Sequence, residues 1–145
     1  MLSNAEGFTL IEALISLMIL SILSLASFTF VLNLHDYIQL NRTLSVFQAD
    51  LHYARNFNMM QLEESGRMVI RIYHDEDRYT ILIDNVMHNE RTLPNNISIP
   101  HQNSISNISF NDRGNLGAGR TFIFSSRYRE RRVVFSVGAG GFDVR

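Results

Sequence analysis

Arg127, Tyr128, Arg129, Arg131 and Arg132 place four guanidinium groups and one aromatic ring within six residues. Such a run can track a phosphate backbone and stack a base, so DNA is one partner it suggests. The same run fits a hairpin rim whose arginines blunt an edge strand and pair with Glu130 or other carboxylates, or a contact between subunits. His74-Asp75-Glu76-Asp77 gathers groups that bind divalent cations, but it lacks the spaced oxygen ligands and the glycine of a calcium loop. A solvated hairpin turn is the simpler reading. His35, His52, His88 and His101 have no metal-ligand spacing and read as ordinary surface or core histidines. The chain has no cysteine, so disulfides, thiolate chemistry and cysteine-ligated metals are excluded. Gly117-Ala118-Gly119 and Gly138-Ala139-Gly140-Gly141 are glycine-rich, yet neither leads into a Lys-Ser/Thr pair at a helix start, which leaves phosphate binding unsupported. The residues therefore point to a protein that is not an enzyme and uses no cofactor or metal.

Glu12 is the remaining residue of chemical interest. It lies between Phe8-Thr9-Leu10-Ile11 and Ala13-Leu14-Ile15. A lone carboxylate at the lip of an apolar helix is costly if buried without a partner, so it is a candidate functional group. The alternative is that it rests at a membrane surface and does nothing.

The element that must position Glu12 is easily drawn. Ala13 to Leu34 is a run of 22 residues without a charge. As a helix it would extend roughly 33 Å, against ~30 Å of bilayer hydrocarbon. Ser16, Ser21, Ser24, Ser27, Thr29 and Asn33 lie within it, and their side chains can bond to carbonyls one turn back. Ala13, Ser16, Ser24 and Ser27 fall within roughly 80° of one another on the helical wheel, a small-residue stripe that would admit a second helix closely. A removable secretory signal fits less well: the run is long, and Ser24-Leu25-Ala26 is followed by more apolar sequence.

Beyond the run, Tyr37, Leu40, Leu44, Phe47, Leu51 and Ala54 recur at intervals of three and four and mark one helical face, continued by Phe57. Arg42, Asp50 and Arg55 interrupt other faces. No proline or glycine occurs from Phe8 to Ser65, so one helix over 8–64 is expected, stopping at Ser65 with Gly66 at its C-cap. After Gly66 the pattern shifts to period two. Arg67–Tyr73 and Arg78–Ile83 read as strands joined by a turn at His74–Asp77. Ile97–Ile99 and Ile105–Phe110 are weaker strands, Thr121–Phe124 and Val133–Val137 are strong ones, and Phe142–Arg145 adds a last short one. The fold class is α+β: a long N-terminal helix, half transmembrane and half amphipathic, packed on a small antiparallel β-sheet.

Charge is unevenly distributed. His35 to Asp112 carries −4, Arg113 to Arg145 carries +5, and every basic residue is arginine.

Gly7-Phe8-Thr9-Leu10-Ile11-Glu12, followed directly by an unbroken apolar helix, resembles the N-terminus of type IV prepilins and pseudopilins. The likeness spans the leader and the helix, about a quarter of the chain. It implies that a prepilin peptidase cuts after Gly7, that Phe8 becomes the N-methylated mature N-terminus, and that Glu12, fifth after the cut, pairs with the amino terminus of a neighbouring subunit. Residues 1–7 would then be the cleaved leader, 8–34 the transmembrane and assembly helix, 35–65 its amphipathic continuation and 66–145 the β-sheet domain. Residues 1–7 depart from family leaders in carrying no Lys or Arg. In the C-terminal half, Phe110-Asn111-Asp112-Arg113-Gly114-Asn115 to Gly119, then Phe122-Ile123-Phe124 and a glycine-rich turn before a last strand, resembles ComGD-type minor pseudopilins of Gram-positive competence systems. These are relatives of the GspH-type pseudopilins of type II secretion. This second resemblance implies a minor structural subunit of a competence pseudopilus that carries DNA through the cell wall. Its partners would be other pseudopilins and, indirectly, an assembly ATPase and a polytopic membrane protein, with DNA contact possible but indirect. It would be held in the cell membrane by a single span, its soluble domain extracytoplasmic, and would reach the cell surface in the filament. The alternatives are a type II secretion pseudopilin, a minor type IV pilin or, in another class, a single-pass anchored enzyme or receptor.

Overall fold

A computed structural model describes residues 9–60, 66–100, 104–136 and 141–145. Gly7 and Phe8 lie outside the described residues. Helix α1 runs Leu10–Met59. Among the described residues seven strands follow: β1 Met68–Tyr73, β2 Arg78–Ile83, β3 Val86–Thr92, β4 Ile105–Ser109, β5 Arg120–Ser125, β6 Glu130–Phe135 and β7 Phe142–Val144. The chain divides into two compact units, Met1–His35 and Asp36–Arg145.

In the first unit, the helix exposes its apolar side chains: Leu10 is 82% exposed and Leu25 73%. The segment is long and apolar enough to cross a membrane. Its hydroxyls are satisfied internally, as their spacing allows. Ser16 donates to Glu12 O, Ser21 to Leu17 O, Ser24 to Leu20 O and Ser27 to Leu23 O, all at 2.7–2.8 Å. The Asn33 amide donates to Thr29 O. These side-chain donors are thus met within the helix itself, which suits a helix surrounded by lipid.

In the second unit, α1 from Asp36 onward packs on antiparallel strands. The strands form two sheets rather than one: a four-stranded sheet ordered β3-β2-β1-β4 and a three-stranded sheet ordered β5-β6-β7. Leu40, Leu44, Phe47, Leu51 and Ala54 are buried, as their spacing requires. Phe47 joins the layers. Its ring meets Tyr79 of β2 edge-on, with centroids 5.2 Å apart, and Phe124 of β5 at 5.0 Å. The flanks of the buried face differ from expectation. Tyr37 is 38% exposed, whereas Asp36, Asp50 and Asn58 are buried.

Asn58 explains where the helix ends. Its amide donates to Met68 O and Phe110 O, and its carbonyl oxygen accepts from Met68 N. It thereby satisfies the first residue of β1 and the residue after β4 with one side chain, a task no apolar residue could perform. The helix stops at Met59, short of the expected Ser65, and its last turn has no basic residue to favour the dipole. Gly66 is not a helix cap. It lies against the Asp84 carboxylate, which would occupy the place of a Cβ and which accepts from Arg67 N.

β3 is a strand the apolar pattern hides, because all seven of its residues are exposed. Asp84 and Asn85 both have positive φ, 48° and 66°, the geometry of a two-residue hairpin turn between β2 and β3. Ile97–Ile99 contributes only an isolated bridge, Ser98 to Ser125 of β5, although Ile97 and Ile99 are both buried. β6 begins at Glu130, three residues before the expected Val133.

Candidate functional site

Thr9 precedes the first turn of α1, and its hydroxyl accepts the Glu12 amide at 3.3 Å. This is the side-chain-to-backbone half of an N-cap. It fixes the start of the helix and places Glu12 in its first turn, where a carboxylate is favoured by the dipole. The Glu12 side chain is exposed and makes no hydrogen bond or ion pair with any described residue. It is free to meet a cation supplied from outside the chain.

The arginine run is divided by the hairpin that carries it. Arg127, Tyr128 and Arg129 lie in the turn between β5 and β6, closed by Ser126 N donating to Arg129 O at 2.8 Å. Arg131 and Arg132 lie within β6, where successive side chains point to opposite faces. Arg131 shares its face with buried Val133 and Phe135 and is itself half-buried; Arg132 is on the other face and exposed. The four arginines therefore do not form one surface. None of them makes an ion pair among the described residues, so the expected pairing with Glu130 is absent there. Glu130 instead accepts from the Ser125 hydroxyl.

The turn is held by Asp36, at the start of the second unit. Its carboxylate accepts from Ser126 Oγ at 2.7 Å and from the Asn96 amide at 3.0 Å, and the nearby backbone of Tyr128 and Arg127 also favours its charged form. Burial alone would raise the pKa of this group; Ser126, Asn96 and the backbone of Tyr128 and Arg127 outweigh it and hold the carboxyl below its ordinary value. A depressed pKa means stability that is present above the unfolded value, near 3.8, and lost as pH falls through the folded value. Asp36→Asn is accordingly expected to lower the unfolding free energy of the full chain in detergent by about 2 kcal/mol at neutral pH. It should also remove part of the acid-side loss of stability below about pH 4. Denaturant unfolding at pH 7 and pH 3 measures both.

Two other polar sites are structural. Asp50 Oδ2 accepts from the Tyr79 hydroxyl at 2.7 Å and from Arg91 Nε at 3.3 Å. Burial, then the hydrogen bond to Asp50 and its charge, push the Tyr79 phenol upward, while Arg91 opposes them. His74 departs from the solvated turn expected for residues 74–77. The turn forms, with Asp77 left-handed at φ 44°, but His74 is buried. Its Nδ1 lies 2.7 Å from Ile99 O and must carry the proton, and Nε2 lies 2.9 Å from Ser106 Oγ. His35, His52 and His88 are exposed, and His101 lies outside the described residues. Among the described residues, no group of His, Asp and Glu could hold a metal ion. A cavity of about 260 Å³ is lined by Arg42, Thr43, Val46, Arg91 and Pro94 among others. These side chains include no nucleophile paired with a base.

Phe110–Asn115 forms a compact turn. Asn111 Oδ1 accepts from the amides of Arg113 and Asn115, and Gly114 adopts φ 71°. A Cβ on Gly114 would meet the flexible side chains of Met59 and Arg55 of α1 at 2.5 and 2.8 Å, so the positive φ is the stronger reason for glycine here.

Sequence reasoning overlooked Asp36 and Asn58 because each is a polar residue on a helix. Their only signal is position: both fall on the face marked by Leu40, Leu44, Phe47, Leu51 and Ala54.

Residues 2–28 match the family model of the prokaryotic N-terminal methylation motif. No curated protein and no solved structure matches the chain. The motif match covers Gly7, Phe8 and the apolar start of α1 and, with a long helix packed on antiparallel sheets, supports a type IV pilin-like prepilin anchored in the membrane.

Proposed function

We propose that the chain is a minor, non-catalytic subunit of a competence pseudopilus, required for DNA uptake during natural transformation. The observation that carries the filament reading is the methylation-motif match over residues 2–28, which coincides with Gly7-Phe8-Thr9-Leu10-Ile11-Glu12 and opens directly into a charge-free helix. Prepilin peptidase cuts between Gly7 and Phe8, and the new amino terminus is methylated. The helix then leaves the membrane laterally to pack in a filament core. There the exposed Glu12 carboxylate meets the amino terminus of a neighbour. In apolar surroundings two opposite charges are tolerated only together, so the pair sets the axial register more than it adds stability.

The competence assignment rests on the resemblance of residues 110–119 and of the strands after them to ComGD-type subunits. The Asn111 turn and the left-handed Gly114 give that stretch a physical reason to exist. A type II secretion pseudopilin or a minor type IV pilin is the second reading, because the N-terminal motif serves those machines equally.

Deleting the gene in its own host tests the proposal. Transformation by added chromosomal DNA and uptake of labelled DNA should both fall to background and return with the wild-type gene. If both stay at wild-type levels, the competence role is wrong and secretion or adhesion takes its place.

A further inference from the structure

We propose that the β5–β6 turn, through Arg127 and Arg129, binds the phosphate headgroups of anionic lipid in the membrane that holds α1. The inference rests on the reading that the first unit of α1 spans a bilayer. Asp36 follows the last uncharged residue of the apolar run, Leu34, by two positions, about 3 Å along a helix. That residue is the one that grips the turn, through Ser126 Oγ. The turn is therefore fixed to Asp36, two positions beyond the end of the apolar run.

Its composition suits that position. Arg127 and Arg129 are exposed and have no ion pair among the described residues. Each lies over an aromatic ring instead: Arg127 is 5.4 Å from the centre of Tyr128, and Arg129 is 5.0 Å from that of Tyr37. Both rings are themselves exposed, Tyr128 at 48% and Tyr37 at 38%. Tyrosines paired with arginines are the residues that settle at headgroup level, ring toward the acyl chains and charge toward phosphate. With Arg131 and Arg132 against Asp36 and Glu130, this end of the unit has net charge +2. A basic residue near an anionic surface changes local partitioning by about fivefold. Duplex DNA offers the same phosphate chemistry, but Arg131 and Arg132 face opposite ways from β6, so the run offers no continuous track for a long strand. A membrane needs only the turn.

The absence of cysteine allows a site-specific test on the full chain. A fluorophore is attached at Asn95→Cys, an exposed position that shares a shallow depression with Arg127, and the protein is inserted in vesicles carrying headgroup-nitroxide lipid. Quenching should be several-fold stronger in phosphatidylglycerol–phosphatidylcholine vesicles than in phosphatidylcholine alone. Arg127→Gln with Arg129→Gln should reduce it to the phosphatidylcholine level, and Arg127→Lys with Arg129→Lys should keep most of it. A label at Gly117→Cys, next to the turn that packs on Met59, should stay unquenched in both. A label at Leu25→Cys with acyl-chain nitroxide should be quenched in both; if it is not, the spanning segment is wrong and the proposal falls with it. Given a quenched Leu25→Cys, equal quenching at Asn95→Cys in the two lipids, or indifference to the glutamine pair, overturns the proposal. Relief of the quenching by inorganic phosphate assigns the turn to a free anion. Failure to quench combined with arginine-dependent binding of a labelled duplex assigns it to nucleic acid. Either result also overturns it.

Discussion

Phe47→Ala is expected to destabilise the folded second unit by about 3–5 kcal/mol, the range for truncating a fully buried phenylalanine. The side chain is 0% exposed, and its ring contacts Tyr79 from the four-stranded sheet and Phe124 from the three-stranded sheet. Removing it opens a cavity where helix and both sheets meet, so none of the three can move in to fill it without losing contacts with the others. A unit of this size has a total stability of about 5–15 kcal/mol, so the variant should lie near the limit of folding. Denaturant unfolding of the full chain in detergent measures the loss, and Phe47→Leu should recover part of it. A loss below about 1 kcal/mol would mean that Phe47 does not join the two sheets to the helix.

The second large effect is expected at the other end of the helix. Glu12→Ala should insert and be cleaved like wild type, because the membrane run begins at Ala13 and the proposed cut, after Gly7, leaves Glu12 as the fifth residue beyond it. Incorporation into sheared filaments should fall at least tenfold. The proposed pairing gives the reason: with the carboxylate gone, the neighbour's ammonium group would be buried without a partner, which costs several kcal/mol. Glu12→Gln should fail as well, because it keeps the shape and loses the charge. Normal amounts of either variant in filaments would show that the carboxylate has no part in assembly.

The parts of this protein that are plain in the sequence are those set by runs and periods. The charge-free stretch, the face from Leu40 to Ala54, and the alternation in Met68–Tyr73, Arg78–Ile83 and Thr121–Phe124 each repeat a single physical requirement over many residues, and the helix and strands lie there. What the sequence conceals depends on single polar residues whose partners are far along the chain. Asp36 meets Ser126 across 90 positions and Asn58 meets Phe110 across 52. On a helical wheel each looks like an interruption. β3 is hidden for the opposite reason: it buries no side chain, so it has no alternation, and only the Asp84-Asn85 turn marks it. The arginine run looks like one patch in sequence because reading along a line ignores the pleat, which turns Arg131 and Arg132 to opposite faces. Of the residues at the N-terminus, Glu12 can be followed into the structure, where it is exposed and without a partner among the described residues, whereas Gly7 and Phe8 lie outside those residues.

The position of the cut is the most direct test of a prepilin. The measurement is the intact mass and N-terminal fragment sequence of the protein extracted from membranes of cells that contain a prepilin peptidase, compared with cells that lack it. The expected result is a chain that begins at Phe8 and carries one methyl group on its amino terminus in the first case, and a chain that keeps residues 1–7 in the second. A chain that keeps Gly7 in both, or one that begins after Ala26, would contradict the prepilin reading and make the apolar segment a plain anchor or a removable signal.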